Sequence, residues 1–128
     1  MTPNVKFRYM YRDGANYKNR NAVIFSNREG VDLSSIEARL RNALLVDDTF
    51  VADQVRIPEV FFYPDFRIDR SDHCLHEVVS LEETVEAVND EHARSILGFV
   101  LEVETAGKIG WRGFTPGDAA KVRFNLLY

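Results

Sequence analysis

The chain has little of what would stabilise or anchor a small protein from outside its own core. It carries one cysteine in 128 residues, Cys74, so an internal disulfide is excluded and a reducing compartment is favoured. No apolar run approaches the ~20 residues that span a bilayer, and the first residues lack the apolar segment of a signal peptide. A chain of this length buries enough surface to fold without a metal. We therefore expect one cytoplasmic domain, residues 1–128, with no membrane association.

Catalytic motifs are equally scarce. The sequence has three histidines and no Gly-x-Ser-x-Gly elbow, Walker-type loop or dinucleotide fingerprint. Gly107, Gly110 and Gly113 have the spacing of a phosphate-binding loop, but they follow a predicted helix where such a loop follows a strand. They are interpreted as a flexible turn. The sequence thus favours a protein that is not an enzyme and that holds no cofactor.

Charge of one sign is scarce in whole segments, although the net charge is only −4. Residues 1–30 carry six basic and two acidic side chains, whereas residues 71–106 carry nine acidic side chains and one basic one, Arg94. Residues 107–128 are again basic, with four cations and one acid. Such segregation has two explanations: the segments pair with each other inside one fold, or each recruits its own partner. The first is the more economical.

The clearest pattern that is present is an alternation in the first twelve residues. A strand from about Val5 to Arg12 would place apolar and aromatic side chains on one face and polar or cationic ones on the other. The two sets are Val5, Phe7, Tyr9 and Tyr11 against Lys6, Arg8, Met10 and Arg12. A polar connection leads to a second strand, about Arg20 to Ser26. It is apolar on both faces, which predicts a position deeper in the sheet than the first strand.

Three helices are predicted. The first begins at Asp32 or Ser34, ends near Asp47 and has an apolar stripe of Ile36, Leu40, Ala43 and Leu44. The second covers Ser80 to Val88, where Ser80 and Glu83 have the spacing of a capping box. The third runs from Glu91 to about Thr105, with Asp90 as its cap and Gly107 as its stop. A strand over residues 97–104 is the competing interpretation.

The remaining segments predict further strands. These are β-forming residues in 51–57 before Pro58, and strands at 59–63, 74–79 and 121–128, with a surface loop at 66–72. In the strand at 74–79, Leu75 and Val79 alternate with His76 and Ser80. Together the elements predict an α+β fold: a single two-layer domain whose N-terminal β-hairpin lies in a mixed or antiparallel sheet, with two or three helices on one face.

One cluster of ligand-type side chains stands at residues 72–77. Asp72, His73 and His76 are candidate metal ligands, and Cys74 between them is a candidate nucleophile. A small metal-dependent or cysteine-based hydrolase centred here is therefore one alternative. The spacing argues against it, because histidines three residues apart on a strand point to opposite faces. The other interpretation is a solvated loop that leads into a half-buried strand.

The cationic hairpin is a second candidate surface. Cations interleaved with aromatic rings suit single-stranded nucleic acid, but here the rings and the cations of the first strand lie on opposite faces. The acidic sequence, with a pI near 5.4, also makes nucleic-acid binding unlikely.

The hairpin carries the one resemblance in the chain. Residues 11–18, Tyr-Arg-Asp-Gly-Ala-Asn-Tyr-Lys, followed by Ala22 to Asn27, resemble the opening of a group of small bacterial proteins of unassigned function, over about the first 45 residues. The resemblance implies a bacterial, cytoplasmic, stand-alone domain and brings no activity with it. It selects the turn as the first place to test for binding: Arg12, Asp13, Asn16, Tyr17 and Lys18.

These observations favour a non-enzymatic binding or regulatory module that acts on another protein. Segregated charge orients partners, and no catalytic constellation is evident. The hairpin edge would also allow a homodimer, although the lysine and arginines along it are the usual protection against edge-to-edge pairing.

Overall fold

The strands and helices of this computed structural model are described for residues 3–12, 16–60 and 74–113. They are β1 (Asn4–Arg12), β2 (Lys18–Phe25), α1 (Leu33–Asn42), β3 (Thr49–Phe50), β4 (His76–Thr84) and α2 (Ile96–Ile109). Two short 3₁₀ turns, Val46–Asp48 and Ala52–Val55, lie on either side of β3.

The described strands form one antiparallel sheet in the order β2-β1-β4-β3. The alternation of β1 is confirmed, because Val5, Phe7, Tyr9 and Tyr11 are all buried. Their neighbours along the strand point to the other face of the sheet and are half-buried or exposed. The predicted α+β class with an N-terminal hairpin in the sheet is confirmed, and among the described residues two helices complete the domain.

The core lies between the inner face of the sheet and the helices. Phe99 of α2 stacks on Phe25 of β2, with ring centroids 4.6 Å apart, and lies 5.0 Å from the ring of Phe7 in β1. Ile36 and Leu40 bury the apolar stripe of α1 in the same cluster. Large aromatic side chains dominate this core, so burial of apolar area supplies most of the stabilisation.

The predicted position of the second strand is wrong. β1, and not β2, is central, because β1 pairs with β2 on one side and with β4 on the other. The apolar side chains on both faces of β2 have a different cause. Ile24 points away from the aromatic core yet is only 3% exposed, and the segment that contains Asn89 lies against its backbone.

The predicted helix from Ser80 to Val88 is also wrong. These residues continue β4 to Thr84 and then leave the sheet. Pairing with β1 sets Leu81 opposite Phe7 and Glu82 opposite Lys6. Tertiary pairing therefore overrides a local helical pattern, as sheet context often does. Val85, which the predicted helix would place on its apolar face with Leu81 and Val88, is 98% exposed.

A β-bulge explains why the predicted alternation at residues 74–79 was one residue out of step. The register between β1 and β4 shifts between Arg8 and Tyr9, which pair with Ser80 and Val78 and leave Val79 unpaired between them. His76 and Val78 consequently point into the core, and Val79 is 43% exposed.

Helix boundaries differ from the predicted ones because specific caps fix them. Asp32 caps α1 by accepting a hydrogen bond from the backbone N–H of Ser35, and the helix ends at Asn42 rather than near Asp47. The helical alternative for residues 97–104 is confirmed. However, α2 begins after its cap Ser95, and it passes through Gly107 to end at Ile109.

Other predictions are partly tested. Residues 51–57 do not form a strand: Ala52–Val55 is a 3₁₀ turn that ends at Arg56 in the left-handed conformation, and residues 59 and 60 are not in a strand either. The rest of the predicted strand at 59–63, the loop at 66–72 and the strand at 121–128 lie outside the described residues.

Candidate functional site

The cations of β1 are paired within the sheet. Lys6, Arg8 and Arg12 project from its solvent face, and each meets a carboxylate of the acidic segment. The pairs are Lys6–Glu86 at 2.8 Å, Arg8–Glu82 at 3.0 Å and Arg12–Glu77 at 3.1 Å. For these residues the charge segregation of the sequence closes on itself, the first of the two explanations given above.

The same contacts act on the ionisation of the acids. Hydrogen bonds from Ser80 and Arg8 hold the pKa of Glu82 below its usual value. Hydrogen bonds from Lys6 and Thr84 lower the pKa of Glu86 in the same direction. Both carboxylates are therefore ionised at neutral pH and neutralise the outer face of β1.

The cations of β2 differ from those of β1. Lys18 and Arg20 lie opposite Arg12 and Met10 in the register, so they share the solvent face of the sheet. Both are exposed, and neither forms an ion pair with any residue in the described parts of the chain. The hairpin thus carries two exposed positive charges that no carboxylate among the described residues neutralises.

One half of the outer edge of β2 is closed. The backbone N–H of Ile24 donates to Oδ1 of Asn89 at 2.7 Å, and the backbone N–H of Asn89 donates to the carbonyl of Ile24 at 3.1 Å. The backbone N–H of Ile96 donates to the carbonyl of Ser26 at 2.8 Å. A side chain and a helix start therefore replace the missing neighbouring strand.

The other half of this edge is open. Backbone groups of an edge strand alternate in direction, so those of Ala22, Arg20 and Lys18 face outward like those of Ile24. No residue in the described segments hydrogen-bonds to these outward groups. We call Lys18, Arg20 and Ala22 the open edge. Unpaired N–H and C=O groups along a strand are a template for a further strand.

A small pocket marks the end of the open edge. It has a volume of about 180 Å³ and lies where the open edge meets the closed half. Its lining combines β2 residues with the two segments that pass beside them: Asn21, Ala22, Val23, Arg56, Pro58, Asn89, Asp90 and Glu91.

Arg94 holds these two segments in place. It is 7% exposed and donates to both carboxylate oxygens of Asp90, and to the backbone carbonyls of Val55 and Arg56 at 2.7 and 2.9 Å. A further hydrogen bond reaches Glu102 at 3.0 Å. Its guanidinium also lies against the rings of Phe25 and Phe99. All the donors of this buried cation are thus directed at acceptors.

The acids around Arg94 stay ionised. Burial raises the pKa of Asp90, but hydrogen bonds from the side chain and backbone of Arg94 outweigh it and bring the pKa below its usual value. Glu102 behaves in the same way. Burial raises its pKa, but the hydrogen bond from Arg56 and the charge of Arg94 outweigh that effect and bring the pKa below its usual value. The network is a fixed structural cross-link and offers no free proton donor or acceptor.

Sequence reasoning missed this network and the open edge. In the sequence, Arg94 stands out only as the single cation of the acidic segment. The Asp90–Arg94 spacing of four residues was a signal, although it is usually that of a helical pair, and here it spans a turn. Nothing in the sequence indicates that Asn89 reaches the backbone of Ile24.

The turn residues selected from the sequence are only partly brought together. Arg12 donates to Oδ1 of Asn16 at 2.8 Å as well as to Glu77, and Asn16 has a positive φ of 69°. Tyr17 is 70% exposed, and Lys18 begins the open edge. Asp13 lies outside the described residues. The hydrogen bonds that Arg12 donates to Asn16 and Glu77 therefore help to shape the hairpin.

The predicted metal ligands are described only in part. Asp72 and His73 lie outside the described residues. His76 is fully buried, its Nε2 accepts a hydrogen bond from the backbone N–H of Val60 at 3.0 Å, and its Nδ1 faces the carbonyl of Cys74 at 3.3 Å. The lone pair that a metal would need is therefore already engaged. Within the described ranges no three His, Cys, Asp or Glu side chains are placed to hold a metal ion.

Comparisons with protein-family profiles, curated proteins and solved structures found no match for this chain. No helix in the described residues is long and apolar enough to cross a lipid bilayer.

Proposed function

We propose that this protein is a binding module that takes up an extended segment of another protein as an additional strand beside β2. The observation that supports the proposal is the open edge: the outward backbone groups of Lys18, Arg20 and Ala22 have no partner among the described residues. Main-chain hydrogen bonds supply affinity in this mode of recognition, and side chains supply selectivity.

The division of the β2 edge into two halves strengthens the proposal. Asn89 and Ile96 satisfy the edge from Ile24 to Ser26, so the fold already uses strand-like pairing there. The pairing stops at Ala22, beside the pocket. An incoming strand would continue a line of hydrogen bonds that the protein itself begins.

Nucleic-acid binding has less support. The cations of β1 are neutralised by carboxylates, and Phe7, Tyr9 and Tyr11 are buried, so they offer no stacking surface. A hydrolase at residues 72–77 also has less support, because the two ring nitrogens of His76 face backbone groups.

The proposal also includes the cellular compartment and the source of the protein. A single cysteine, which is buried, suits the reducing cytoplasm, and the turn sequence from Tyr11 to Lys18 supports a bacterial source by resemblance alone.

The direct test is amide hydrogen exchange followed by NMR, with short synthetic peptides of alternating valine and a polar residue as probes. Neutral, acidic and basic sets are each titrated into the full chain. At least one set is expected to slow exchange at the backbone N–H groups of Lys18, Arg20 and Ala22. If no set protects these amides, the proposal is wrong.

A matched pair of variants separates backbone from side-chain effects. Ala22→Pro removes an outward N–H without removing a bond to β1, a substitution that edge strands tolerate. Ala22→Thr keeps the N–H. Peptide binding is expected to be lost in the first and retained in the second, with circular dichroism checking that both fold. Should Ala22→Pro fail to fold, the protection pattern of the unmodified chain decides the question alone.

A further inference from the structure

We infer that the open edge selects an acidic strand, with carboxylates at alternate positions paired to Lys18 and Arg20, and that the same two cations prevent two copies of this chain from pairing edge to edge. The inference rests on the proposed function and names the chemistry of its partner. It is carried by the charge and register of the described hairpin.

The register fixes where the carboxylates must lie. Lys18 and Arg20 are two residues apart on β2, so both side chains project from the solvent face. Residues directly opposite each other on adjacent strands share a face. An added strand would therefore present two side chains, at positions i and i+2, to these cations.

The protein already uses this chemistry within its own sheet. On the other side of β1, the acidic strand β4 and the chain after it place Glu77, Glu82 and Glu86 against Arg12, Arg8 and Lys6. An acidic strand beside β2 would repeat that arrangement. The difference is that no carboxylate in the described parts of the chain forms an ion pair with Lys18 or Arg20, so these two cations are available to carboxylates of a partner.

The same cations disfavour a second copy as the occupant. If two open edges met in antiparallel register about their centre, Arg20 of one copy would lie directly opposite Arg20 of the other, with Lys18 of each copy on the same face of the sheet. Like charges directly opposite each other destabilise a strand pair, and exposed lysine and arginine commonly protect edges in this way. The homodimer that the sequence allows is therefore disfavoured, and it is the alternative to an acidic strand that the experiments below must distinguish.

The test compares three peptides on the full chain by isothermal titration calorimetry. The first carries two glutamates separated by one valine in an otherwise neutral sequence, the second replaces both glutamates by lysine, and the third keeps the two glutamates but makes them adjacent, on opposite faces of a strand. The alternating acidic peptide is expected to bind most tightly, since only it sets two carboxylates on one face of a strand. Equal affinity for the lysine peptide would overturn the inference.

Two double variants with the same change in net charge sharpen the comparison. Lys18→Glu with Arg20→Glu reverses the charge of the open edge, while Lys108→Glu with Arg112→Glu reverses two exposed cations on and after α2. The first is expected to weaken the acidic peptide by about tenfold, the size expected when two exposed ion pairs become repulsive. The second should change its affinity little. An equal loss in both would contradict the inference.

Amide protection distinguishes failure of the inference from failure of the proposed function. If peptides protect Ala22 without a preference for acid, strand addition stands and only the acidic partner is wrong. If no peptide protects Ala22, the proposed function itself fails. Sedimentation completes the test: the unmodified chain should stay monomeric, whereas dimers with a protected Ala22 would make a second copy the occupant.

Discussion

Asn89 and Ile24 exchange two hydrogen bonds across a gap where a neighbouring strand would otherwise lie. The amide oxygen of Asn89 accepts from the backbone N–H of Ile24, and the backbone N–H of Asn89 donates to the carbonyl of Ile24. One residue thus mimics one step of a β-ladder. This relationship limits the open edge to the first half of β2 and gives the proposed partner a defined end.

The first prediction concerns that pair. Asn89→Ala should lower the free energy of unfolding by about 1 kcal/mol, because the N–H of Ile24 loses its acceptor. Asn89→Asp is the control, since it keeps an oxygen at the same position. Urea denaturation of both variants measures the difference. A loss of equal size in the aspartate variant would show that the hydrogen bond to Ile24 is not what matters.

Arg94 is predicted to be the most important single cation for stability. Arg94→Met removes the partner of Asp90, whose side chain is 2% exposed, and leaves a buried carboxylate and two backbone carbonyls without their donor. The expected cost is about 3–5 kcal/mol. Arg39→Met is the control, because Arg39 pairs with Glu104 at the surface and should cost about 1 kcal/mol or less. Similar midpoints for the two variants in urea denaturation would refute the prediction.

Acid is predicted to unfold the protein through the same network. The pKa values of Asp90 and Glu102 lie below their usual values in the folded chain, so folding favours their ionised forms. Their contribution is present above the unfolded pKa, near 4, and is lost as the pH falls through the lower folded values. The free energy of unfolding should therefore decline between about pH 5 and pH 2. Glu102→Gln should make that decline shallower, and an unchanged slope would count against the assignment.

Two glycines of α2 are predicted to respond in opposite directions to alanine. A Cβ at Gly107 would lie 2.8 Å from the carbonyl oxygen of Ala43, the last-turn carbonyl that also accepts from the indole of Trp111. Gly107→Ala should therefore destabilise the protein by about 1–3 kcal/mol. At Gly98 the nearest atom would be at 3.5 Å, so Gly98→Ala should stabilise by about 0.5–1 kcal/mol through helix propensity. Thermal denaturation of the two variants measures whether each substitution raises or lowers stability. Stabilisation by Gly107→Ala would contradict the close contact between the two helices.

Tyr9 is predicted to ionise late. Burial raises the pKa of its phenol to about 12, although a hydrogen bond from Asn21 opposes the shift. Because the folded value exceeds the unfolded one, near 10, the contribution to stability is complete below pH 10 and is lost as the pH rises toward 12. An ultraviolet titration should show a late tyrosinate phase that Tyr9→Phe removes. Persistence of that phase in the variant would assign it to another tyrosine.

Tyr9 also illustrates what local pattern was able to predict. Its place in the alternation of β1 predicted burial, and the structure confirms it. The alternation cannot predict that its hydroxyl donates to the carbonyl of Pro58 at 2.5 Å, forty-nine residues away. Period-two patterning depends only on backbone geometry, whereas the partner of a buried hydroxyl depends on which distant segment packs against it.

The segment from Ser80 to Val88 shows the opposite case. Its apolar spacing and its acids satisfied a helical template, yet strand pairing with β1 supplies cation partners for Glu82 and Glu86 and a core position for Leu81. A local sequence pattern cannot weigh the helix against the strand, because the strand is stabilised by β1 residues more than seventy positions away.

The sequence by itself determined the hairpin, its buried aromatic face, the buried positions Ile36 and Leu40 of α1 and the α+β class, because these follow from periodicities within one element. Tertiary structure alone decided that β1 is central, that acids of β4 and of the chain after it neutralise its cations, and that the edge of β2 is closed at Ile24 but has no partner at Arg20 among the described residues. Those outcomes depend on which segments become neighbours, and the energy of a hydrogen bond or an ion pair exists only once its two groups have been brought within a few ångströms of each other.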